Sequence, residues 1–178
     1  MRIFVIGTGR CGTMTFKKAC NHIKNYTNAH EGNTGWKHKD NIFDYPDNHI
    51  EIDCRLSYFL PILVEKYPDA LYVHLQRERE SCIESLSKRK SLNHFSIFHL
   101  GKPKDMKEIA SIYYDNTVNL INNYLYNVLD KNIFNPQKFY HYKLENIQDG
   151  FIEIWDKIQA EGNREKALSE LKIKHNKS

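Results

Sequence analysis

Short apolar runs alternate along this chain with longer stretches in which apolar residues recur every three or four positions. The runs at 2–6, 49–52, 70–75 and 138–142 predict buried strands, and a fifth short strand is placed near 26–30. The helical period predicts helices over 13–24, 55–67, 79–90, 106–130, 147–160 and 164–171. The clearest is 106–130, where Met106, Ile109, Ala110, Tyr113, Thr117, Leu120, Ile121, Tyr124 and Val128 make one stripe. Its tyrosines are read as core, as is Trp155 in the stripe Phe151, Ile154, Trp155, Ile158. Strand–helix alternation predicts an α/β three-layer sandwich with a mainly parallel central sheet. No repeat, low-complexity linker or boundary interrupts the pattern, so residues 1–178 are expected to form a single domain. Two irregular segments, 32–48 and 91–105, are candidates for loops lining a ligand crevice.

Chemistry enters where the first strand ends. Gly7-Thr8-Gly9-Arg10-Cys11-Gly12-Thr13-Met14-Thr15 follows the apolar run and opens the first helix. A strand, a glycine turn and a helix make a phosphate cradle, because loop N–H groups and the helix dipole both favour an anion. Three templates fit. Gly7, Gly9 and Gly12 match the dinucleotide fingerprint, with Glu31 at the distance of its ribose-binding acid, but the residues before Glu31 are polar and Asn-rich for a buried strand. Gly7 and Gly12 have the spacing of a Walker loop, yet Thr13 stands where its lysine belongs, which disfavours an ordinary kinase or ATPase. The third template places an arginine inside the loop.

A second motif bears on the choice. The strand Ala70–Leu75 runs into Gln76-Arg77-Glu78-Arg79 and a helix carrying Ser85, eight residues after Arg77. A guanidinium at a strand end suits phosphate because it is planar, always charged and forms parallel hydrogen bonds. As an ordered pair, Gly9-Arg10-Cys11-Gly12-Thr13 and Arg77…Ser85 resemble the two signatures of the sulfotransferase family. That family is P-loop-like and uses 3′-phosphoadenosine 5′-phosphosulfate (PAPS), leaving 3′,5′-adenosine bisphosphate. Two departures are visible: Cys11 replaces the usual serine, and Glu78-Arg79 replaces Asp-Pro. Weaker resemblances are Glu51-Ile52-Asp53 with Leu56–Pro61, Tyr140–Asn146, and the basic terminal segment Lys172–Ser178. The resemblance implies that Gly9, Arg10, Cys11, Gly12, Thr13, Met14 and Thr15 hold the 5′-phosphosulfate, with Cys11 supplying mainly its backbone N–H. It implies that Arg77 and Ser85 hold the 3′-phosphate.

The implied reaction moves a sulfuryl group to a hydroxyl or amine by in-line displacement, which needs alignment, charge stabilisation and a general base. Arg10 and Thr13, with the loop amides, are expected to stabilise the charge. Glu31 is the first candidate for the base, in a His30-Glu31-Gly32 setting similar to that of some sulfotransferases. His30 is the second, since imidazole titrates near neutrality, followed by Asp53 and His38. The alternatives are a P-loop phosphotransferase with a displaced lysine and a nucleotide-binding module without an acceptor site. The acceptor is expected to be a small molecule or carbohydrate, with protein tyrosine and lipid also open.

Composition narrows the setting. The hydrophobic fraction is 40%, the charged fraction 27%, and the net charge +4. That mild basicity fits an anionic ligand and falls short of a nucleic-acid-binding protein. Lys88-Arg89-Lys90 is read as solvated surface. The first strand begins at residue 2 and no apolar run is long enough to span a membrane, so a soluble cytoplasmic protein is expected. Cys11, Cys20, Cys54 and Cys82 lack paired spacing and read as reduced thiols. His94 and His99 are five apart, wrong for one helical face, and no metal is expected.

Overall fold

The computed structural model describes residues 1–32, 43–89, 105–130, 138–173 and 175, with the backbone alone over 125–130. Its strands are β1 (Arg2–Gly7), β2 (Thr27–His30), β3 (His49–Ile52), β4 (Leu71–Gln76) and β5 (Phe139–Lys143). Its α-helices are α1 (Thr13–Cys20), α2 (Leu60–Lys66), α3 (Arg79–Ser87), α4 (Met106–Asp130), α5 (Ile147–Lys157) and α6 (Arg164–Leu171). All strand pairings are parallel and the spatial order is β2-β3-β1-β4-β5. Helices cover both faces, as a parallel sheet requires.

The central strands are apolar on both sides because both sides are packed. Ile3 and Val5 of β1, with Leu71, Val73 and Leu75 of β4, face Phe16, Ala19, Phe151, Ile154, Trp155 and Ala167 from α1, α5 and α6. Phe4 and Ile6 face the opposite way, toward Tyr45, Leu60, Leu63, Tyr72 and Ile121. A third cluster ties α3 to α4 through Cys82, Ile83, Leu86, Ile109, Ala110 and Tyr114. Trp155 is core, as its stripe predicts.

Several boundaries differ from the sequence pattern. The polar segment before Glu31 does form a strand. It is the edge strand, only half buried, so it does not need the apolar alternation of a central one. The first helix ends at Cys20 rather than residue 24, and Ile23 instead bridges to Gly162. The predicted helix 55–67 begins as a 3₁₀ turn, Cys54–Phe59, capped by the Asp53 carboxylate, and becomes α-helical only at Leu60, with Pro61 in its first turn. In α4, Leu120 is exposed while Tyr114, outside the predicted stripe, is buried. No helix among the described residues is long and apolar enough to cross a membrane.

Candidate functional site

The carboxyl ends of β1, β2, β3 and β4 open into a cleft of about 830 Å³. Such crevices are where open parallel sheets place their ligands. Gly9, Arg10, Gly12, Thr13, Met14, Thr15, His30, Glu31, Arg77 and Ser85 all line it. Ten of the eleven predicted site residues therefore meet in one space. The eleventh, Cys11, is fully buried beneath the loop.

The loop is held by backbone geometry and by its neighbours. Gly7 lies so close to β4 that a Cβ there would sit 2.5 Å from the Leu75 carbonyl oxygen and 2.8 Å from Cys11 Sγ. Ser57 grips the same glycine, donating to its carbonyl at 3.0 Å and accepting from its N–H at 3.2 Å. Gly12, the N-cap of α1, has φ 97°, and a Cβ there would collide with Leu144. No side chain caps this helix and its first turn carries no acidic residue. Its N-terminus faces the cleft through Gly12, Thr13, Met14 and Thr15.

Two non-glycine residues on the cleft, Arg10 (φ 56°) and Glu31 (φ 57°), adopt the left-handed region. This conformation is uncommon for such residues and costs about 1 kcal/mol or more. For Arg10 it accompanies a specific contact: Nε donates to Ser85 Oγ at 2.8 Å. Arg77 reaches the same loop, Nη1 donating to the Arg10 carbonyl at 3.5 Å. The sequence pairs Ser85 with Arg77, whereas the structure joins Ser85 to Arg10 and sets Arg77 beside both. Burial lowers the Arg10 guanidinium from its usual value, and the positive charges of Arg89 and Arg77 lower it further. Three guanidiniums thus crowd one wall.

The opposite wall carries the predicted acid and imidazole. His30 Nε2 lies 3.3 Å from Thr13 Oγ1, which brings it to the N-terminus of α1. Glu31 is fixed through its backbone: its N–H donates to the Ile52 carbonyl at 3.1 Å, and the next N–H, of Gly32, donates to Glu51 Oε1 at 2.9 Å. Its carboxylate is half exposed, 3.9 Å from Arg55 Nη2. Arg55 is itself held by Asp53, Nε to Oδ1 at 3.0 Å and Nη2 to Oδ2 at 2.8 Å, and this pairing raises the guanidinium above its usual value. Asp53 is fully buried and engaged in orienting Arg55, and it is absent from the cleft lining. This removes it as a base candidate.

The Glu78 carboxylate accepts from the N–H groups of Ser81 at 2.7 Å and Glu80 at 2.9 Å and so caps α3 just after Arg77. Arg79 turns away to Asp115 and Ser111.

The sequence reading missed Arg55, Cys54, Tyr113 and Arg89 as cleft residues. Arg89 is exposed, as the solvated-surface reading has it, and it borders the cleft just beyond the end of α3. Arg55 follows a strand end, a usable signal. Tyr113 packs against the α3–α4 core cluster, as its stripe predicts, and also borders the cleft. Lys172, Ile173 and His175 of the terminal segment border it, with Thr15 Oγ1 donating to the Ile173 carbonyl at 3.4 Å. His38, Lys90 and Lys174, with most of the two candidate acceptor segments, lie outside the described residues. No group of three or more metal-ligating side chains occurs among the described residues.

No protein-family model matches this chain, and no curated protein does.

Proposed function

We propose that this protein is a sulfotransferase that uses PAPS to sulfate a hydroxyl or amine. The observation that carries the reading is the meeting of Arg10, Ser85 and Arg77 on one wall, beside an uncapped helix N-terminus. A guanidinium opposed by two others and a helix start without a carboxylate fit a ligand with two separated anionic groups. Strand order adds support. The usual dinucleotide-binding order sets β2 beside β1, whereas here β3 stands between them. The P-loop-like character of Gly7–Thr15 belongs to this same proposal.

In this reading the bound donor supplies a sulfuryl group on a good phosphate leaving group. The N–H groups of the first turn of α1, with Thr13 and His30, hold the end that bears the sulfuryl group. Arg10, within the loop and bonded to Ser85, serves the phosphosulfate, and Arg77, Ser85 and Arg89 hold the other phosphate. Glu31, kept near Arg55 across the cleft, takes the acceptor proton. The half-exposed position of Glu31 leaves room for an acceptor such as a sugar or small alcohol.

Calorimetry with 3′,5′-adenosine bisphosphate, against ATP with Mg²⁺ and against NADH, tests the reading. Selective, metal-independent binding of the bisphosphate is expected. Preference for ATP with Mg²⁺ would replace the proposal by a phosphotransferase. Glu31→Gln is expected to keep bisphosphate affinity and to lose about 100-fold or more in turnover of PAPS with an acceptor panel. Undiminished turnover would remove Glu31 from the base role.

A further inference from the structure

The turn that carries Glu31 is held from inside the protein. β2 and β3 run parallel with Thr27 opposite His49 and Ala29 opposite Glu51, so these side chains share one face of the sheet. His49 Nδ1 lies 2.8 Å from Thr27 Oγ1, and His49 Nε2 lies 3.2 Å from Glu51 Oε2. The other oxygen, Glu51 Oε1, accepts from the Gly32 N–H at 2.9 Å, one residue past Glu31. Hydrogen bonds thus run from the amino end of β2 to the turn at its carboxyl end. The buried Tyr45 ring stacks on His49, centroids 6.0 Å apart. Two small residues make room for the carboxylate: a Cβ on Gly32 would stand 2.9 Å from the Ala29 Cβ and 3.1 Å from Glu51 Oε2. A second buried acid reaches the same turn by another route. Asp53 holds Arg55, whose Nη2 donates to the Glu31 carbonyl at 3.4 Å. The peptide group between Glu31 and Gly32 is therefore gripped at its N–H by Glu51 and at its C=O by Arg55.

We propose that Glu51, oriented by His49, is a positioning residue for Glu31. It clamps the Glu31–Gly32 peptide from the buried side and so sets the direction from which Glu31 takes the acceptor proton. This role rests on the assignment of Glu31 as the base. Glu51 is 1% exposed and absent from the cleft lining, so it acts through the Gly32 N–H and not on the ligand. Burying a carboxylate is costly unless hydrogen bonds replace its water, and a buried ion pair adds little net stability. The left-handed backbone of Glu31 is a further cost, and such a conformation persists only where its surroundings over-determine it. Both costs fall on one turn at the edge of the cleft, and what they fix is the aim of the Glu31 side chain. Aim matters for a base, because a misplacement of about 1 Å can cost about 100-fold in rate.

Glu51→Leu removes the acceptor for the Gly32 N–H, whereas Glu51→Gln keeps one. Both are compared with wild type in PAPS turnover with an acceptor panel and in calorimetry with 3′,5′-adenosine bisphosphate. Glu51→Leu is expected to lose about 30-fold in kcat, with bisphosphate affinity and the KM for PAPS within about twofold. Glu51→Gln is expected to restore kcat to within about fivefold of wild type. Equal losses in the two variants, a parallel loss of bisphosphate affinity, or undiminished kcat in Glu51→Leu would overturn the proposal. NMR of isotope-labelled protein supplies a readout that needs no activity. The Gly32 amide proton should exchange about tenfold or more faster in Glu51→Leu than in wild type. The Phe16 amide, bonded to the Gly12 carbonyl in α1, should be unchanged. A Gly32 amide that exchanges freely in wild type would overturn the clamp. Wild type without any PAPS turnover would count against the function proposed above and take the catalytic consequence with it; the Gly32 amide would still decide the clamp.

Discussion

At the amino end of the sheet Arg2 pairs with Asp47 at 2.8 Å, Lys138 pairs with Asp69 at 2.6 Å, and the Met1 ammonium donates to Asn48 at 3.0 Å. At the carboxyl end the positive charges of Arg89 and Arg77 act against that of Arg10 beside a cleft. Arg55 and Lys88 there have carboxylate partners, but the loop arginines are organised by a serine hydroxyl and a backbone carbonyl. Opposite charges brought together satisfy themselves and do little else. Like charges held together, on a strained backbone, are stabilised by an anion that arrives from solution. The contrast marks the carboxyl-end cleft as the place where the ligand proposed above would bind.

The largest effect is expected at Arg10. Arg10→Ala should weaken 3′,5′-adenosine bisphosphate binding about 100-fold, near 3 kcal/mol, while urea unfolding of the free protein shows no loss of stability. Unchanged affinity by calorimetry would erase the contrast between the two ends. Arg77→Ala should cost about 30-fold for the bisphosphate and leave AMP within about twofold. Equal losses for both nucleotides would remove Arg77 from the 3′-phosphate.

Between the two ends, His74 on β4 is fully buried, stacks on His141 at 4.8 Å and has neither ring nitrogen hydrogen-bonded. Burial, with His141 nearby, pushes it down to about 3 from 6.5. Between those values the unfolded chain binds a proton that the folded chain does not. Stability therefore rises with pH across the window and falls on acidification, by up to about 1.4 kcal/mol per pH unit from this group. Urea titrations at several pH values should show His74→Phe with a shallower acid loss than wild type. Parallel curves would assign the acid sensitivity elsewhere.

Arg89→Gln should weaken bisphosphate binding about tenfold and leave the free protein as stable or slightly more so. A clear drop in unfolding midpoint would mean that Arg89 is structural. The smallest effect belongs to the amino end: Arg2→Ala should lower stability by about 0.5 kcal/mol, less in high salt, with ligand affinity unchanged. Impaired binding in that variant would show that the two ends are coupled.

Much of the site was legible because its motifs are local. The path from β1 through Gly7, Gly9, Arg10 and Gly12 into α1 is written in consecutive residues, and Arg77 and Ser85 sit at a strand end and on the next helix. β2 was harder to see because edge strands do not need a continuous apolar run. The 3₁₀ start of the 54–66 segment was hidden because the Asp53 cap is a contact rather than a period. Arg55 and Tyr113 were missed for a related reason: each lies on an element of ordinary pattern and reaches the cleft only through packing.

The order of hydrophobic and polar positions, with the glycines and arginines between them, was enough to determine an α/β chain with a glycine-rich turn between its first strand and first helix. Strand periods and turn chemistry act over a few residues and need no partners. Which strand lies beside which, that Ser85 meets Arg10, and that Asp53 serves Arg55 were decided only by the tertiary structure. Those contacts join residues up to 75 positions apart. They exist only once the sheet order β2-β3-β1-β4-β5 has brought the strand ends together, and no local period carries that information.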